Sequence, residues 1–267
     1  MLKLTGISKT FNPGTANEKT ALNRLSLDVA DGDFITIIGS NGAGKSTLFN
    51  AICGGFYVDE GEVELDGEDV TFLPEHRRAR YIGHLFQDPM RGTAPNMTIE
   101  ENLAVAYLHT AAHKNAFLSR VSKADKEYFR AQLAQLHMGL EDRMKQPVGL
   151  LSGGQRQALT LLMASLRRPK LLLLDEHTAA LDPATAAKVL ELSDKIVAEN
   201  GLTAMMITHN MKDAIKHGNR LIMMNEGRII LDISGEEKQK LTKRDLMDKF
   251  AEIAGMQVES DQVLLTR

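Results

Sequence analysis

The chain has 267 residues, which is enough for one large domain or two lobes with a sizeable core. Its net charge of −3 argues against a strongly basic nucleic-acid surface, and its single cysteine, Cys53, excludes an internal disulfide. The N-terminus lacks a signal-peptide pattern and no apolar run approaches the ~20 residues that cross a bilayer, so any membrane role is expected to need a partner.

The N-terminal third predicts antiparallel strands around one buried strand of parallel type. Alternating apolar residues predict strands over Leu2–Ser8 and Leu22–Val29, and Glu62–Asp66 has the pattern of a third, edge-type strand. The continuous apolar run Phe34–Ile38 predicts the buried strand. Leu48–Cys53 predicts the first turns of a helix, so a glycine-rich loop lies between strand and helix.

From Thr98 the pattern becomes helical. Thr98 and Glu101 have the spacing of a capping box. Further helices are predicted over Lys123–His137 and from Ser152 to about Arg168. We expect this block, about residues 90–166, to form a helical lobe inserted into the sheet.

After Pro169 the pattern returns to strand, helix and strand. Lys170–Asp175 and Thr203–Ile207 predict buried parallel strands. Between them, Asp182 is placed to cap a helix that ends at Asn200 and Gly201.

The C-terminal part predicts a closing hairpin and a charged tail. The hairpin strands are expected over Leu221–Met224 and Arg228–Leu231. The tail starts near Gly235 and contains one predicted short helix, from about Lys243 to Ala254.

The loop between Phe34–Ile38 and the first helix has the composition of a phosphate-binding loop. Glycines let backbone N–H groups point inward at an anion, and the following helix N-terminus adds partial positive charge. Lys45 can reach the outer phosphates, and the Ser46 hydroxyl can hold a magnesium ion. We therefore predict nucleotide binding by Gly39, Ser40, Asn41, Gly42, Ala43, Gly44, Lys45, Ser46 and Thr47.

Two acids stand at the end of the strand predicted over Lys170–Asp175. Ligands of open α/β sheets sit beyond this end, so Asp175 is placed to bind magnesium opposite Ser46. Glu176 can polarise a water molecule aimed at the γ-phosphate. The alternative is a solvated loop start, which a phosphate-binding loop in the same chain disfavours.

A second helix N-terminus that could bind an anion is predicted at Leu151–Gln155. Ser152 and Gln155 form a capping box, and the purely structural interpretation is a helix cap with two flexible glycines. The functional interpretation is that this helix N-terminus faces an anion. Two such starts in one chain indicate either two ligands or one ligand clamped from both sides.

Together these motifs resemble the nucleotide-binding subunit of an ATP-binding cassette (ABC) transporter, over about residues 2–231. Six motifs match in order and spacing: Gly39–Thr47 (Walker A), Gln87 (Q-loop), Leu151–Gln155 (signature), Leu171–Glu176 (Walker B), Ala180–Asp182 (D-loop) and His209 (switch histidine). The resemblance implies an α/β fold, in which a P-loop NTPase core has a mixed sheet, an antiparallel β subdomain and an inserted α-helical subdomain. The ABC ATPase domain would span 1–231, with its core at about 1–89 and 167–231, the helical subdomain at about 90–166, and a C-terminal appendage at 232–267.

The resemblance also implies residue roles. Glu176 would be the catalytic base, and His209 would contact the γ-phosphate. Gln87 would sense both the γ-phosphate and a magnesium ion that is also held by Ser46 and Asp175.

Adenine and the opposite subunit complete the implied site. Phe11 would stack on adenine, although a core phenylalanine at a strand end is the alternative.

Many family members carry proline where this chain has His177, and we expect hydrolysis to survive because no catalytic group is lost. ATP bound to the opposite subunit would be contacted by Ser152, Gly153, Gly154, Gln155 and Asp182.

The implied activity is ATP hydrolysis that powers a membrane transporter, with ATP and Mg²⁺ as ligands. Two copies, paired as a homodimer, would bind ATP head to tail at the cytoplasmic face of the membrane. Integral membrane permease subunits would dock at Asp88–Asn96, a solute-binding protein would belong to the full system, and no direct nucleic-acid contact is expected.

Two segments resemble one particular group within this family. Asp175–Asp182 and Asp88–Pro95 are similar to bacterial ATPases paired with branched-chain-amino-acid-type permeases. This implies uptake of a small organic solute such as an amino acid or an aromatic compound. An exporter or lipoprotein-extracting ATPase is an alternative, and so is a soluble ABC ATPase that acts on nucleic acid or ribosomes.

Overall fold

The protein is described by a computed structural model covering residues 1–88, 90–109, 121–166 and 168–252. In these ranges the strands, in chain order, are β1 (Leu2–Phe11), β2 (Lys19–Val29), β3 (Phe34–Gly39), β4 (Glu60–Leu65), β5 (Glu68–Asp69), β6 (Ile82–Leu85), β7 (Leu171–Asp175), β8 (Thr203–Ile207), β9 (Arg220–Asn225) and β10 (Arg228–Ser234). The helices are α1 (Lys45–Cys53), α2 (Glu75–Arg78), α3 (Ile99–His109), α4 (Lys123–Ala134), α5 (Gly153–Ser165), α6 (Pro183–Asn200), α7 (Met211–Lys216) and α8 (Gly235–Lys240). Residues 243–252 are helical as well.

The strands form one antiparallel sheet and one mixed sheet. The antiparallel sheet has the order β2-β1-β4-β5, and the mixed sheet has the order β10-β9-β3-β8-β7-β6. In the mixed sheet β3 pairs in parallel with both β8 and β9, and β7 pairs in parallel with β6 and β8. Parallel strands end at the same sheet edge, so the segments after β3, β6, β7 and β8 meet there.

The main core lies on both faces of the mixed sheet, as continuous apolar runs predict for central parallel strands. Alternation along β7 sends Leu171 and Leu173 to the face that packs on α1 and the antiparallel sheet. Leu172 and Leu174 pack on the opposite face with residues of α5 and α6. Burial on both faces holds the strand ends, and therefore the site, on a rigid support.

The helical block has a hydrophobic cluster of its own. It is built by residues of α3, α4 and α5 and the segment between α4 and α5, including Leu103, Phe129, Leu133 and Leu159, all fully buried. A separate cluster supports the inserted lobe at about 90–166, and its boundaries stay a prediction.

Most of the predicted helices and strands are present, but some begin or end at other residues than predicted. The first helix starts at Lys45 inside the glycine loop rather than at Leu48. The helix predicted to His137 ends at Ala134, and His137 itself has a left-handed φ of 52°. β6, α2, α7 and α8 were not predicted, because they are short and carry weak periodicity.

The tail is more structured than its charge indicates. Besides α8, residues 243–252 are helical, and the predicted end at Ala254 lies outside the described residues. Within the described part of the chain, no helix combines the length and the apolar character needed to span a bilayer.

Candidate nucleotide-binding site

The glycine loop between β3 and α1 is folded tightly against its surroundings. Gly44 caps α1 with a φ of 100°, a left-handed value that side chains rarely adopt. A Cβ atom at Gly44 would also lie 2.4 Å from the Ala21 carbonyl oxygen of β2. Gly227, in the β9–β10 turn, donates its N–H to the Ala43 carbonyl oxygen at 3.0 Å. The loop is therefore braced by two neighbouring strand segments.

Lys45 is the buried cation of this loop. Its side chain is 5% exposed, and its Nζ donates to the Gly39 and Ser40 carbonyl oxygens at 2.9 and 3.0 Å. Burial lowers the Lys45 pKa, while Glu176 and Asp175 oppose that shift. A phosphate in the loop would offer this ammonium group charged acceptors, which bind more strongly than carbonyl oxygens.

Asp175 ends β7 with one carboxylate oxygen lacking a partner. Its Oδ1 is buried and accepts no hydrogen bond, whereas the side chain does contact the Ser46 hydroxyl. Burial, followed by the charge of Glu176, raises the Asp175 pKa to about 6. An orphaned carboxylate oxygen beside a hydroxyl is a donor set that suits a hard cation.

Glu176 and His209 form a close pair across the ends of β7 and β8. Glu176 Oε1 lies 2.5 Å from His209 Nε2. The Glu176 N–H donates to the Ile207 carbonyl oxygen at 3.1 Å, which fixes the start of the loop after β7. The glutamate side chain is 11% exposed and that of the histidine 46%. Glu176 is therefore held in the wall of the site, with its carboxylate accessible.

Lys45, Glu176 and His209 line a cavity of about 330 Å³, and Asp175 contacts Ser46 of the same lining. Its lining combines the glycine loop, both members of the close pair and the ends of β1 and β2: Phe11, Lys19, Ala21, Asn41, Gly42, Gly44, Lys45, Ser46, Thr47, Glu176 and His209. The other predicted loop residues do not line the cavity: Gly39 ends β3, Ser40 is exposed and Ala43 is buried. A single chain therefore assembles a cationic, phosphate-sized end and an open mouth.

Phe11 lies at the mouth of the cavity rather than in the core. It is 37% exposed and packs edge-on against Phe56, with ring centroids 5.5 Å apart. Lys19 is opposite Phe11 in the β1–β2 register and also lines the cavity, although the sequence analysis did not select it. The pairing of β1 with β2 across the Asn12–Gly14 turn is the signal that could have found it.

The signature residues lie outside this cavity. Ser152 caps α5, accepting from the Gln155 N–H at 3.3 Å and donating its own N–H to Gln155 Oε1 at 3.2 Å. Ser152 and Gly153 are exposed, and no described residue of Leu151–Gln155 lines the cavity around Lys45. This second helix start is thus free to meet an anion held elsewhere.

The signature and the D-loop touch each other within one chain. Asp182 caps α6 by accepting from the Thr185 N–H at 3.1 Å. Hydrogen bonds from the Thr185 side chain, and then from its N–H, lower the Asp182 pKa. A Cβ atom at Gly154 would lie 2.2 Å from Thr185 Cγ2, and one at Gly153 would lie 3.3 Å from Leu181 Cδ2. The two helix starts form one surface.

Gln87 lies two residues beyond β6 and is exposed. In the β6–β7 pairing Leu85 is opposite Leu174, so Gln87 stands at the same sheet edge as Asp175. It does not line the cavity around Lys45.

Two arginines, the buried Arg78 and the half-buried Arg156, support the site and were missed by sequence reasoning. The Arg78 guanidinium, in α2, donates to the carbonyl oxygens of Ala51 and Ile52, which fixes the C-terminal end of α1. The Arg156 guanidinium contacts Met90 Sδ at 3.1 Å and the Leu151 carbonyl oxygen at 3.1 Å, joining the signature to the segment after Gln87. No spacing in the sequence marks either arginine, because their acceptors are backbone carbonyls and a thioether.

The chain belongs to the ABC transporter family, because the model of that family matches residues 22–179. The tyrosine transport ATP-binding protein of Clostridioides difficile (strain R20291) is 43% identical over 250 residues, which cover 94% of this chain and 98% of that protein. The methionine import ATP-binding protein MetN 2 of Enterococcus faecalis (strain ATCC 700802 / V583) is 36% identical, over 91% of this chain and 69% of that protein.

Solved structures agree with this family. The dimeric, post-hydrolysis state of the ATP-binding cassette MJ0796, bound to ADP and Pi, superposes with a TM-score of 0.75 at 27% identity. The match covers 88% of this chain and 98% of that one. The P-loop NTPase fold, the family and the ATPase function predicted from the motifs are confirmed: the chain is a nucleotide-binding ATPase of ABC transport.

Proposed function

We propose that the chain binds Mg·ATP around Lys45 and hydrolyses it to drive uptake of a small organic solute through a membrane permease. The observation that carries this is the convergence of a buried lysine and the Glu176–His209 pair on one cavity. An unpartnered oxygen of Asp175 lies behind this cavity, on a side chain that contacts the lining residue Ser46. These are the parts that phosphoryl transfer to water requires: a cation for the phosphates, a metal ligand and a base.

Magnesium would be held by Ser46 and Asp175, with Gln87 approaching from β6. The described residues contain no cluster of three His, Cys, Asp or Glu that could cage a metal by itself. A site with few protein ligands suits magnesium, which keeps waters and takes its remaining oxygens from substrate phosphates. Bound there, the ion would neutralise charge on the β- and γ-phosphates.

Chemistry at the γ-phosphate would use the charges of this chain directly. Glu176 would accept a proton from the attacking water as its oxygen bonds to the γ-phosphorus and the bond to the β-phosphate oxygen breaks, leaving ADP. Lys45 and the N–H groups of the loop would stabilise the developing negative charge. His209, released from Glu176, would contact the γ-phosphate.

A second copy would complete each site. Ser152–Gln155, in which Ser152 and Gly153 are exposed, lies away from the cavity of its own chain, so its helix N-terminus would face the γ-phosphate of a partner. Asp182, on the same surface, would support the partner's site, and Phe11 at the cavity mouth would stack on adenine. The dimeric cassette among the solved relatives supports the pairing of two copies.

The relatives support a proposal for the solute and for the partners. Proteins named for tyrosine transport and methionine import support an amino acid, with an aromatic one favoured by the 43% identical relative. The chain would lie at the cytoplasmic face, bound to permease subunits through Asp88–Asn96, with a solute-binding protein outside. Pro89 of this docking segment lies outside the described residues.

Glu176→Gln tests the proposed base. Steady-state ATP hydrolysis should fall by about 100-fold or more, while binding of a fluorescent ATP analogue is retained because Lys45 is intact. Glu199→Gln, an exposed glutamate on α6, is the matched control and should leave the rate unchanged. Unaltered hydrolysis in Glu176→Gln would contradict the assignment.

Mixing two inactive variants tests the composite site. Lys45→Ala removes the phosphate cation, and Ser152→Arg blocks the signature, so each alone should hydrolyse little ATP. A mixture of both should recover activity, because a mixed dimer contains one intact Lys45 facing one intact Ser152. Absence of recovery, with dimers present by gel filtration, would favour sites contained within one chain.

A further inference from the structure

The backbone at Glu176 is in an unusual conformation. Its φ is 44°, in the left-handed region where non-glycine residues are uncommon and persist when the surroundings hold them. Two backbone hydrogen bonds hold it: the Glu176 N–H donates to Ile207, and its carbonyl oxygen accepts from the Ala179 N–H at 3.0 Å. Both bonds fix the main chain, and the side chain of the next residue adds a third anchor.

That next residue, His177, points into the protein instead of the cavity. Its side chain is 3% exposed, and Nε2 lies 3.0 Å from the hydroxyl oxygen of Ser193 on α6. The Ser193 hydroxyl donates to the Val189 carbonyl oxygen at 2.9 Å, so its oxygen is left to accept from the histidine. His177 is therefore the neutral donor, and burial keeps it so by lowering its pKa to about 4.

The residue type at 177 matters for the conformation at 176. A proline there would have no side-chain donor for Ser193 and would push the preceding residue towards extended backbone. Histidine leaves the left-handed conformation open to Glu176. Its side chain also ties the turn to α6, which is packed into the core at the fully buried Val189. The loop that carries the glutamate is thereby joined to α6.

We propose that His177 is a positioning residue for ATP hydrolysis. Its hydrogen bond to Ser193 anchors the turn after β7, holds Glu176 in the left-handed conformation and so keeps the Glu176 carboxylate in the cavity wall beside His209. This rests on the proposed role of Glu176 as the base. His177 itself does not line the cavity, so it acts through its neighbour.

His177→Leu removes the donor while keeping a buried side chain of similar size. The kcat for ATP hydrolysis should fall by about 10- to 100-fold with the ATP KM unchanged, because only the base is misplaced. His177→Gln, whose amide nitrogen reaches about as far as Nε2, should recover most of the lost kcat. Ser193→Ala, which leaves the fold less disturbed, should lower kcat in the same direction as His177→Leu.

Two comparisons separate positioning from a general loss of structure. Ser165→Ala removes another buried helix serine, which bonds to Leu161 and Leu162 on α5, and should leave kcat unchanged. In a Glu176→Gln background, His177→Leu should cause no further loss of single-turnover hydrolysis, because the group that it positions is already gone.

The outcomes are distinct. If Glu176→Gln hydrolyses ATP normally, the proposed base is wrong and His177 has no base to position. If Glu176→Gln is impaired but both His177→Leu and Ser193→Ala retain kcat, the positioning role is overturned. It is also overturned if the loss in the double variant equals the product of the two single losses, or if kcat and KM deteriorate together.

Discussion

At the scale of single residues, the folded protein holds partly buried charges in the site, and their burial costs free energy. Asp175 shows this most directly, since burial and Glu176 raise its pKa to about 6 from 3.8. A raised carboxylate pKa favours the folded state at low pH, and this contribution is lost as the pH rises through about 6. The nucleotide-free protein at neutral pH therefore holds an ionised, partly desolvated carboxylate that a cation would neutralise.

Asp175→Asn should consequently stabilise the nucleotide-free protein while weakening its response to ligand. In EDTA the variant should have a higher free energy of unfolding than the unsubstituted protein, and this gain should be larger at pH 7.5 than at pH 5 by about 1 kcal/mol. The reason is that Asp175 of the folded, unsubstituted protein is already protonated at the lower pH. Urea unfolding at both pH values measures this. The same variant should lose most of the rise in Tm that Mg·ATP gives, and an equal gain at both pH values would contradict the argument.

At the scale of elements, helix starts organise the site. Capping boxes begin α3 at Thr98, α4 at Ser122 and α5 at Ser152, and Asp182 begins α6. Those at Thr98, Ser152 and Asp182 were predicted, because a cap depends on residues three apart in the sequence. The contact of α5 with α6 was not predicted, because it joins residues of two different helices and has no local sequence pattern.

Gly154 and Thr185 make that contact testable. Gly154→Ala alone should destabilise the protein by about 1 kcal/mol or more, because the new methyl group overlaps Thr185 Cγ2. In a Thr185→Ser background the methyl group is absent, and Gly154→Ala should then stabilise by up to about 1 kcal/mol through helix propensity. Guanidinium unfolding of the four proteins measures both effects, and the same sign in both backgrounds would refute the close contact.

At the scale of the whole molecule, the segment after β10 is tied to the preceding part of the fold through a buried lysine. Lys238 of α8 donates to the carbonyl oxygens of His217 and Gly218. His217 Nδ1 in turn lies 2.6 Å from Asp194 Oδ2 on α6. Burial lowers the Lys238 pKa to about 8, with Asp194 opposing the shift. The tail after β10 is thus part of the folded unit.

Replacing the lysine in Lys238→Met should change how the free energy of unfolding depends on pH. Because the folded pKa lies below the ordinary 10.5, the unfolded chain binds more protons between pH 8 and 10.5, so this group makes stability rise with pH there. Between pH 8 and pH 10 the unsubstituted protein should gain about 2 kcal/mol in the free energy of unfolding relative to Lys238→Met. A constant difference between the two proteins would show that Lys238 is not buried as a charged group.

Much of the molecule was determined by patterns that are local in the sequence. The glycine loop, the acids after β7 and the helix caps each depend on residues a few positions apart, so the fold class, the family and the candidate site residues could be predicted. The ends of elements were less accurate, as at His137, where a single left-handed residue ends the helix.

Only the tertiary structure decided which of these parts meet. It brought Lys45, Glu176 and His209 to one cavity and placed Asp175 against Ser46 of the cavity lining. It also left Ser152 facing outward and buried Arg78, His177 and Lys238, which look like surface residues in sequence. The physical reason is that their partners are backbone carbonyls or a helix serine far along the chain, and such acceptors leave no pattern in the sequence. Burial of a polar side chain becomes visible only when the group that satisfies it is in place.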